Sequence, residues 1–170
     1  MTKAKPLPPL ELVQQLLDYD ENKGCLIWKN PLYRTVKRGS IAGALNSRGY
    51  IQVKIAGTLY MAHRLIWLYK TGQDPASLQI DHVDGNRSNN CFANLRLATS
   101  EENARNRKGH KNSKVKLKGV SYDKNNKAYC ACICVNRRQI NLGRFPTPEL
   151  AHMAYCEAAA ELHGDFARAR

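Results

Sequence analysis

QIDHVDGNRSNNCFANLRLATSEENARNRK, residues Gln79 to Lys108, is the stretch on which the reading of this chain turns. Ile80-Asp81-His82-Val83 predicts the end of a short strand, and Asp84-Gly85 is a turn signal that takes the chain out of it. From Asn86 to Asn94 the residues are mostly Asn, Arg and Ser, whose side chains bond a loop's own backbone and hold a compact excursion without a hydrophobic core. Leu95-Arg96-Leu97-Ala98 alternates as a second strand would. Thr99-Ser100-Glu101-Glu102 matches a capping box, in which the Thr hydroxyl and a Glu carboxylate three residues on satisfy orphan N–H groups at a helix start. Asn103 then falls in that helix's first turns. Strand, loop, strand and helix make a hairpin clasped by a helix, a topology able to bring Asp81, His82 and Asn103 to one end.

Such a cluster suits metal-assisted hydrolysis of a phosphodiester. A hard cation such as Mg²⁺ prefers oxygen ligands and keeps several waters, so Asp81, the Asn103 amide oxygen and substrate phosphate oxygens suffice to hold it. His82 is the candidate base, because an imidazole with an ordinary pKa of about 6.5 can take a proton from an attacking water near neutral pH. The plainer reading of an Asp-His pair is a surface carboxylate beside a solvated or capped histidine, and spacing alone leaves both open. For Arg96, alternation against Leu95 and Leu97 gives an exposed strand residue, with phosphate contact as the sharper role.

The same stretch resembles the HNH endonucleases, in particular the homing and phage branch with a ββα-metal site. The residues that carry the resemblance are Asp81-His82, Asp84-Gly85-Asn86, Asn89-Asn90, Asn94-Leu95-Arg96 and Asn103. The resemblance implies that Asp81 binds the metal, His82 is the general base, Asn94 braces the loop against the active site and Asn103 is the second metal ligand. Other HNH nucleases carry His at the last position, and Asn103 there favours Mg²⁺, or Mn²⁺, over a transition metal bound through nitrogen.

Charge agrees with a nucleic-acid substrate. The 170 residues hold 27 Lys plus Arg against 14 Asp plus Glu, a formal net charge of +13, which attracts a polyanion. An anionic membrane is the other candidate partner, but no apolar run approaches the ~20 residues of a spanning helix, and the N-terminal MTKAKPLPPL lacks an apolar signal core. The expectation is a cytoplasmic protein of a bacterial or phage-infected cell, not a secreted one. Six cysteines, at 25, 91, 130, 132, 134 and 156, include no C-x-x-C pair; Cys130, Cys132 and Cys134 have the spacing of one strand face and are expected to be reduced thiols.

Ahead of the motif, Leu10 to Tyr19 places Leu12, Val13, Leu16 and Leu17 on one helical face after a Pro-rich lead. Cys25 to Trp28 predicts a strand with Trp28 in the core, and Tyr50–Ile55 with Leu59–Met61 predicts a hairpin whose Gln52 and Lys54 face outward. Ala62 to Lys70 predicts a helix stopped by Gly72, with His63 in a structural role. Behind the motif, Arg105 to Lys118 carries seven Lys or Arg and no acidic residue, a basic linker suited to tracking a phosphate backbone.

From Lys118 onward a second unit begins. Gly119–Tyr122, Tyr129–Val135 and Gln139–Gly143 predict three strands joined by turns at Asn125–Lys127 and Arg137-Arg138; Thr147-Pro148 then opens a helix that Gly164 ends. Leu150, Ala151, Ala154, Tyr155, Ala158, Ala159 and Leu162 share one face of it. GVSYD, AYCACICV, INLGRF and TPELAHMAYCEAAAELHG together resemble the AP2 DNA-binding domain. That resemblance implies three antiparallel strands with one face on DNA and the other on the helix. Matched strand by strand, it turns Ala131, Ile133, Ile140 and Leu142 to the helix and Ser121, Asp123, Cys130, Cys132, Cys134, Gln139 and Asn141 to DNA. Plant AP2 domains present Arg and Trp at several of these positions, which this chain does not.

The sequence therefore predicts an α+β protein: an N-terminal β-rich region with flanking helices over 1–75, a ββα-metal HNH module over 76–108, a basic linker over 109–117 and an AP2-like domain over 118–170. The expected activity is metal-dependent cleavage of duplex DNA, with Arg96, Arg105, Arg107, Lys108, Ser121, Gln139 and Asn141 as DNA contacts. The competing class is a DNA-binding regulator that keeps the HNH scaffold without catalysis. Target sequence, nicking against double-strand cleavage, and oligomeric state are not legible.

Overall fold

A computed structural model describes residues 5–106, 115–136 and 138–167, in two compact units, Met1–Thr99 and Ser100–Arg170. Arg107, Lys108, most of the basic linker and Arg137 lie outside the described residues.

The first unit opens with α1 (Leu10–Leu16), which follows Pro9 and buries Val13 and Leu16. The helix is shorter than the apolar spacing predicts. Leu17 turns extended (φ −130°, ψ 146°), and β1 (Leu17–Asp20) pairs antiparallel with β2 (Cys25–Trp28), Leu17 opposite Trp28. Pairing buries both side chains in the core, and that tertiary gain overrides a helical periodicity that stops being decisive at its last turn. A meander follows, β3 (Ala44–Leu45), β4 (Ile51–Ile55) and β5 (Thr58–Met61), with β4 in the middle. The β4–β5 hairpin is the one the alternation predicts, whereas β3 is only two residues long and leaves no pattern to read. Next comes α2 (Ala62–Thr71), stopped by Gly72, whose left-handed backbone (φ 72°) lets its N–H cap the Leu68 carbonyl. Finally β6 (Gln79–His82) pairs antiparallel with β7 (Leu95–Ala98), and the loop between them ends in a 3₁₀ turn over Phe92–Asn94. Ile80 and Leu95 of this ribbon join Val13, Leu17, Trp28, Val53, Leu65 and Ile66 in one apolar core. The N-terminal elements and the Asp-His ribbon are thus packed as one body.

The second unit holds α3 (Ser100–Arg105), a three-stranded antiparallel sheet of β8 (Val120–Asp123), β9 (Ala128–Val135) and β10 (Arg138–Phe145) with β9 central, and α4 (Pro148–His163). The Thr147 hydroxyl accepts the Leu150 N–H at 3.3 Å, so the predicted cap starts α4. Ala131 and Ile133 on β9 and Val120 on β8 pack against Ala151, Tyr155 and Ala159. The buried stripe of α4 is Ala151, Tyr155, Ala159 and His163, one residue per turn. Leu150 and Leu162, expected on this face, are more than two-fifths exposed, because a helix seated on small alanines meets the sheet along a narrow line. The α+β class, with a three-stranded sheet on one helix at the C-terminus, is as the sequence predicts.

Among the described residues all six cysteines are free thiols, and no helix is long and apolar enough to cross a membrane.

Candidate active site

Asp81 and His82 are the last two residues of β6, where the chain leaves the ribbon for its polar loop. Both are buried, at 5% and 4% exposure. Successive residues of a strand point to opposite faces, so Asp81 shares a side with its register partner Arg96 and His82 with Leu95. Arg96 is half-buried, not exposed, and both its Nε and an Nη donate to the same Asp81 oxygen, Oδ2, at 2.9 and 2.8 Å. Alternation locates the face of a strand but not the residue opposite, and the partner here is an acid. His82 places Nε2 at 2.9 Å from Oδ1 of Asn90, which at 1% exposure is the most deeply buried polar side chain among the described residues.

The loop is built around Asp84. Its Oδ1 accepts the Asn86 backbone N–H at 2.7 Å and the Asn94 amide at 3.0 Å, and its Oδ2 accepts the Asn89 amide at 2.7 Å. Burial pushes the Asp84 carboxyl upward, but these three hydrogen bonds outweigh it and hold the group below its ordinary value. Asn94 locks the other side. Its amide also donates to the Asn89 carbonyl at 2.8 Å, its Oδ1 accepts the Asp84 N–H at 3.0 Å, and its own carbonyl accepts the Val83 N–H at 2.9 Å. Sequence reasoning took Asp84 for a turn residue only and gave Asn90 no role. An Asx residue two positions after a histidine at a strand end was the one available signal for the first.

Three rings gather at His82. His63, at the start of α2, meets it edge-on with centroids 5.2 Å apart, and Tyr50 stands 6.0 Å from His82 and 5.4 Å from His63. The Arg87 guanidinium lies 5.0 Å over the Tyr50 ring and donates to the Arg48 carbonyl at 2.9 Å, which brings one loop cation to this corner. Burial first, then the charges of His82 and Arg64, lower the pKa of His63 to about 3.

Asn103 stands on α3, half-buried, in the second unit, and Arg105 ends the same helix. Ser121, Gln139 and Asn141 are exposed and fall on the sheet face turned away from α4: Ser121 opposite Cys130, Gln139 opposite Cys134, Asn141 opposite Cys132. A bulge at Leu142 then shifts the register, so that Gly143 pairs with Ala131 and Arg144 with Cys130. Arg144 therefore joins the outer face, exposed and 3.6 Å from the Asp123 carboxylate. Strict alternation from Asn141 turns Arg144 the other way, so the sequence reading missed it. Gly143, at φ 123°, was the signal for a bulge.

A family model for HNH endonucleases matches residues 60–105, and one for the AP2 domain matches 115–165. "Protein 3.8" of Escherichia phage T7 is 35% identical over 108 residues, 64% of this chain and 88% of that protein. "Uncharacterized HNH endonuclease L560" of Acanthamoeba polyphaga mimivirus is 37% identical over 106 residues, 62% of this chain and 54% of its own length. The chain belongs to the HNH endonucleases. This HNH endonuclease is a DNA endonuclease with a C-terminal AP2-like domain, so DNA is its partner. It spans most of the phage relative and about half of the mimiviral one. No solved structure matches it.

The HNH family implies a divalent cation, and the donors present fit a hard one. Among the described residues no cluster of three or more His, Cys, Asp or Glu could hold a metal. Asp81 and Asn103 carry oxygen donors, the type of ligand that a hard cation takes.

Proposed function

We propose that this endonuclease hydrolyses phosphodiester bonds of duplex DNA in a reaction that depends on Mg²⁺, or Mn²⁺ in its place, in the manner of free-standing homing or phage enzymes acting in the host cytoplasm. One observation carries the reading: at the end of β6 a buried acid and a buried imidazole are consecutive in the chain, each already held by its own partner, Arg96 for Asp81 and Asn90 for His82. Side chains fixed before the substrate arrives need no reorganisation in the transition state.

In this reading His82 takes the proton of the attacking water. Asp81 and Asn103 would hold the cation, Arg96 orients the Asp81 carboxylate, and Asn94 keeps the loop in shape. When bound, the cation supplies positive charge at the phosphate undergoing displacement. Arg105, Arg107 and Lys108 would neutralise backbone phosphates, and Ser121, Gln139 and Asn141, with Arg144 beside them, would meet the duplex from the AP2-like sheet. The domain limits predicted from the sequence, with a nuclease module over 76–108 and a DNA-binding domain over 118–170, belong to the same proposal. The test is supercoiled plasmid incubated with the full chain, with and without Mg²⁺, beside His82→Ala. Conversion to nicked or linear DNA by the wild type in Mg²⁺ alone, and its loss in His82→Ala, is the expected result. Binding without conversion under every divalent cation tried makes the chain a DNA-binding regulator instead.

A further inference from the structure

From Lys29 to Gln73 the chain holds eight Lys or Arg and no Asp or Glu, so an acid that neutralises any of those cations has to come from elsewhere in the fold. For Lys29, Arg64 and Lys70 it does, through Asp18, Asp74 and Glu21. Arg34, Lys37, Arg38, Arg48 and Lys54 are exposed and have no carboxylate partner among the described residues. The segments that carry them are tied down. The Tyr33 hydroxyl accepts the Gly57 N–H at 3.0 Å, which holds one end of the Arg34–Arg38 loop at the β4–β5 turn. At the other end the Trp28 N–H donates to the Ser40 carbonyl at 2.9 Å, and the Trp28 carbonyl accepts the Gly39 N–H at 2.7 Å. Ahead of β4, Asn46 Oδ1 accepts the N–H groups of Arg48 and Tyr50 at 2.9 and 3.0 Å, closing the turn that presents Arg48. That turn meets the loop of the Asp-His ribbon. Arg87, also exposed and without a carboxylate partner among the described residues, donates to the Arg48 carbonyl at 2.9 Å and lies over Tyr50, whose ring stands 6.0 Å from His82.

We propose that these six cations form a DNA-backbone surface of the first unit, with Arg48 and Arg87 at its His82 end and Lys54 and the Arg34–Arg38 loop at the β4–β5 turn, and that duplex phosphates flanking the cut lie along it. The five residues of β4 separate the two ends, about 16 Å at about 3.3 Å per residue, which is about five base pairs of duplex. Uncompensated charges of one sign on one unit repel each other, a cost that a bound polyanion removes. A duplex presents its charges at fixed intervals, and cations on a braced backbone meet them with little ordering left to do. The surface deepens the nuclease reading and rests on it for the place of the cut, but not for the binding itself. Apart from Arg87, its residues lie outside the 60–105 and 115–165 stretches that the two family models match.

The experiment uses the full chain. Affinity for duplex DNA is measured by fluorescence anisotropy at several salt concentrations without divalent cation, and cleavage of supercoiled plasmid is measured separately with Mg²⁺. At about 0.9 per phosphate contact, the triple variant Arg34→Gln, Lys37→Gln, Arg38→Gln should lower the slope of log affinity against log salt by about two to three. The double variant Arg48→Gln, Arg87→Gln should lower it by about two. A control, Lys23→Gln with Lys70→Gln, removes as many charges as the double variant. Asp20 and Glu21 already offset those two ammonium groups, so the control should keep the wild-type slope. Without any substitution, bound duplex should protect Lys37 and Lys54 of the wild type from acetylation, read by mass spectrometry, while Lys23 reacts as in the free protein. Wild-type slopes in both variants, an equal fall in the control, or full acetylation of Lys37 and Lys54 under saturating DNA overturns the surface. Slopes that fall as expected in a protein that cleaves DNA with no divalent cation overturn the nuclease reading and leave the surface standing.

Discussion

His63 and His82 stand with ring centroids 5.2 Å apart, yet they are in different positions to serve chemistry. Burial holds the pKa of His63 down to about 3, with the nearby His82 and Arg64 charges adding to it, so His63 stays neutral wherever a nuclease would work. That makes it a ring for packing against His82 rather than a second base. A lowered histidine pKa has a definite consequence for folding: between about 3 and the unfolded value of about 6.5 the unfolded chain binds more protons, so stability is complete above that window and falls as pH drops through it. Both tryptophans, Trp28 and Trp67, lie in the first unit and report its unfolding. Their fluorescence during urea titration should give a midpoint that falls from pH 7 to pH 5, and His63→Phe should flatten that fall. Asp84 runs on the same logic with a depressed carboxyl, whose contribution is present above its unfolded value and is lost as pH falls through the lower folded one. Asp84→Ala removes the acceptor of three hydrogen bonds in the loop and should cut the cleavage rate while leaving affinity for DNA in place. For His82→Ala the expected loss is that of a general base, about 10²–10⁴-fold in rate, again with binding kept. A gel-shift titration beside the cleavage assay checks both variants. Type and spacing picked out Asp81 and His82 as candidates, and the resemblance added Asn94. The sequence could not show that Arg96 faces Asp81 or that Asn90 meets His82, because those pairings arise from strand register and from how the loop folds back.

At the scale of elements, what was legible is what periodicity and caps encode. The β4–β5 hairpin, α2 with its Gly72 stop, the β6–β7 ribbon and the whole C-terminal sheet and helix follow from alternation, turn residues and Thr147-Pro148. Where the reading failed, a long-range partner or a local insertion was responsible. Leu17 left the helix because Trp28 offered a strand partner, and Leu142 broke the alternation of β10 because a bulge admits one extra residue. The bulge bears on the proposed DNA contact. It turns Arg144 onto the outer face beside Cys130, giving a guanidinium to a sheet whose other outward residues are uncharged except Asp123. Arg144→Ala should weaken DNA binding and reduce the slope of log affinity against log salt by about one, the signature of a single phosphate contact. Fluorescence anisotropy with duplex DNA at several salt concentrations measures it, and a slope equal to the wild type would take Arg144 off the interface. Gly119 tests the packing beneath. A Cβ there would lie 2.0 Å from a ring carbon of Tyr155, on a backbone at φ +78°, so Gly119→Ala should destabilise the second unit while the tryptophan-reported transition of the first stays where it is.

For the whole molecule, the division falls between Thr99 and Ser100, nine residues before the limit that the nuclease motif suggests. Asp81 and His82 sit in the first unit, whereas α3, with Asn103, belongs to the second, where Lys118 donates its ammonium to the Arg105 carbonyl at 2.5 Å. A cut behind the motif therefore removes more than a DNA-binding arm, because it takes away the body with which the Asn103 helix is associated. α3 is six residues long, and an isolated helix of that length is not stable in water. A protein ending at Gly109 should accordingly show two separable defects. Loss of the AP2-like sheet weakens affinity and makes its salt dependence shallower, since each phosphate contact removed lowers the slope by about 0.9. On the proposed role of Asn103 as a cation ligand, loss of support for α3 should raise the Mg²⁺ concentration needed for half-maximal cleavage, even at DNA concentrations that restore binding. Titrating Mg²⁺ at saturating DNA separates the two. If the truncated protein gives the full-length Mg²⁺ curve and differs only in affinity, α3 needs nothing from the second unit, and the AP2-like domain serves binding alone.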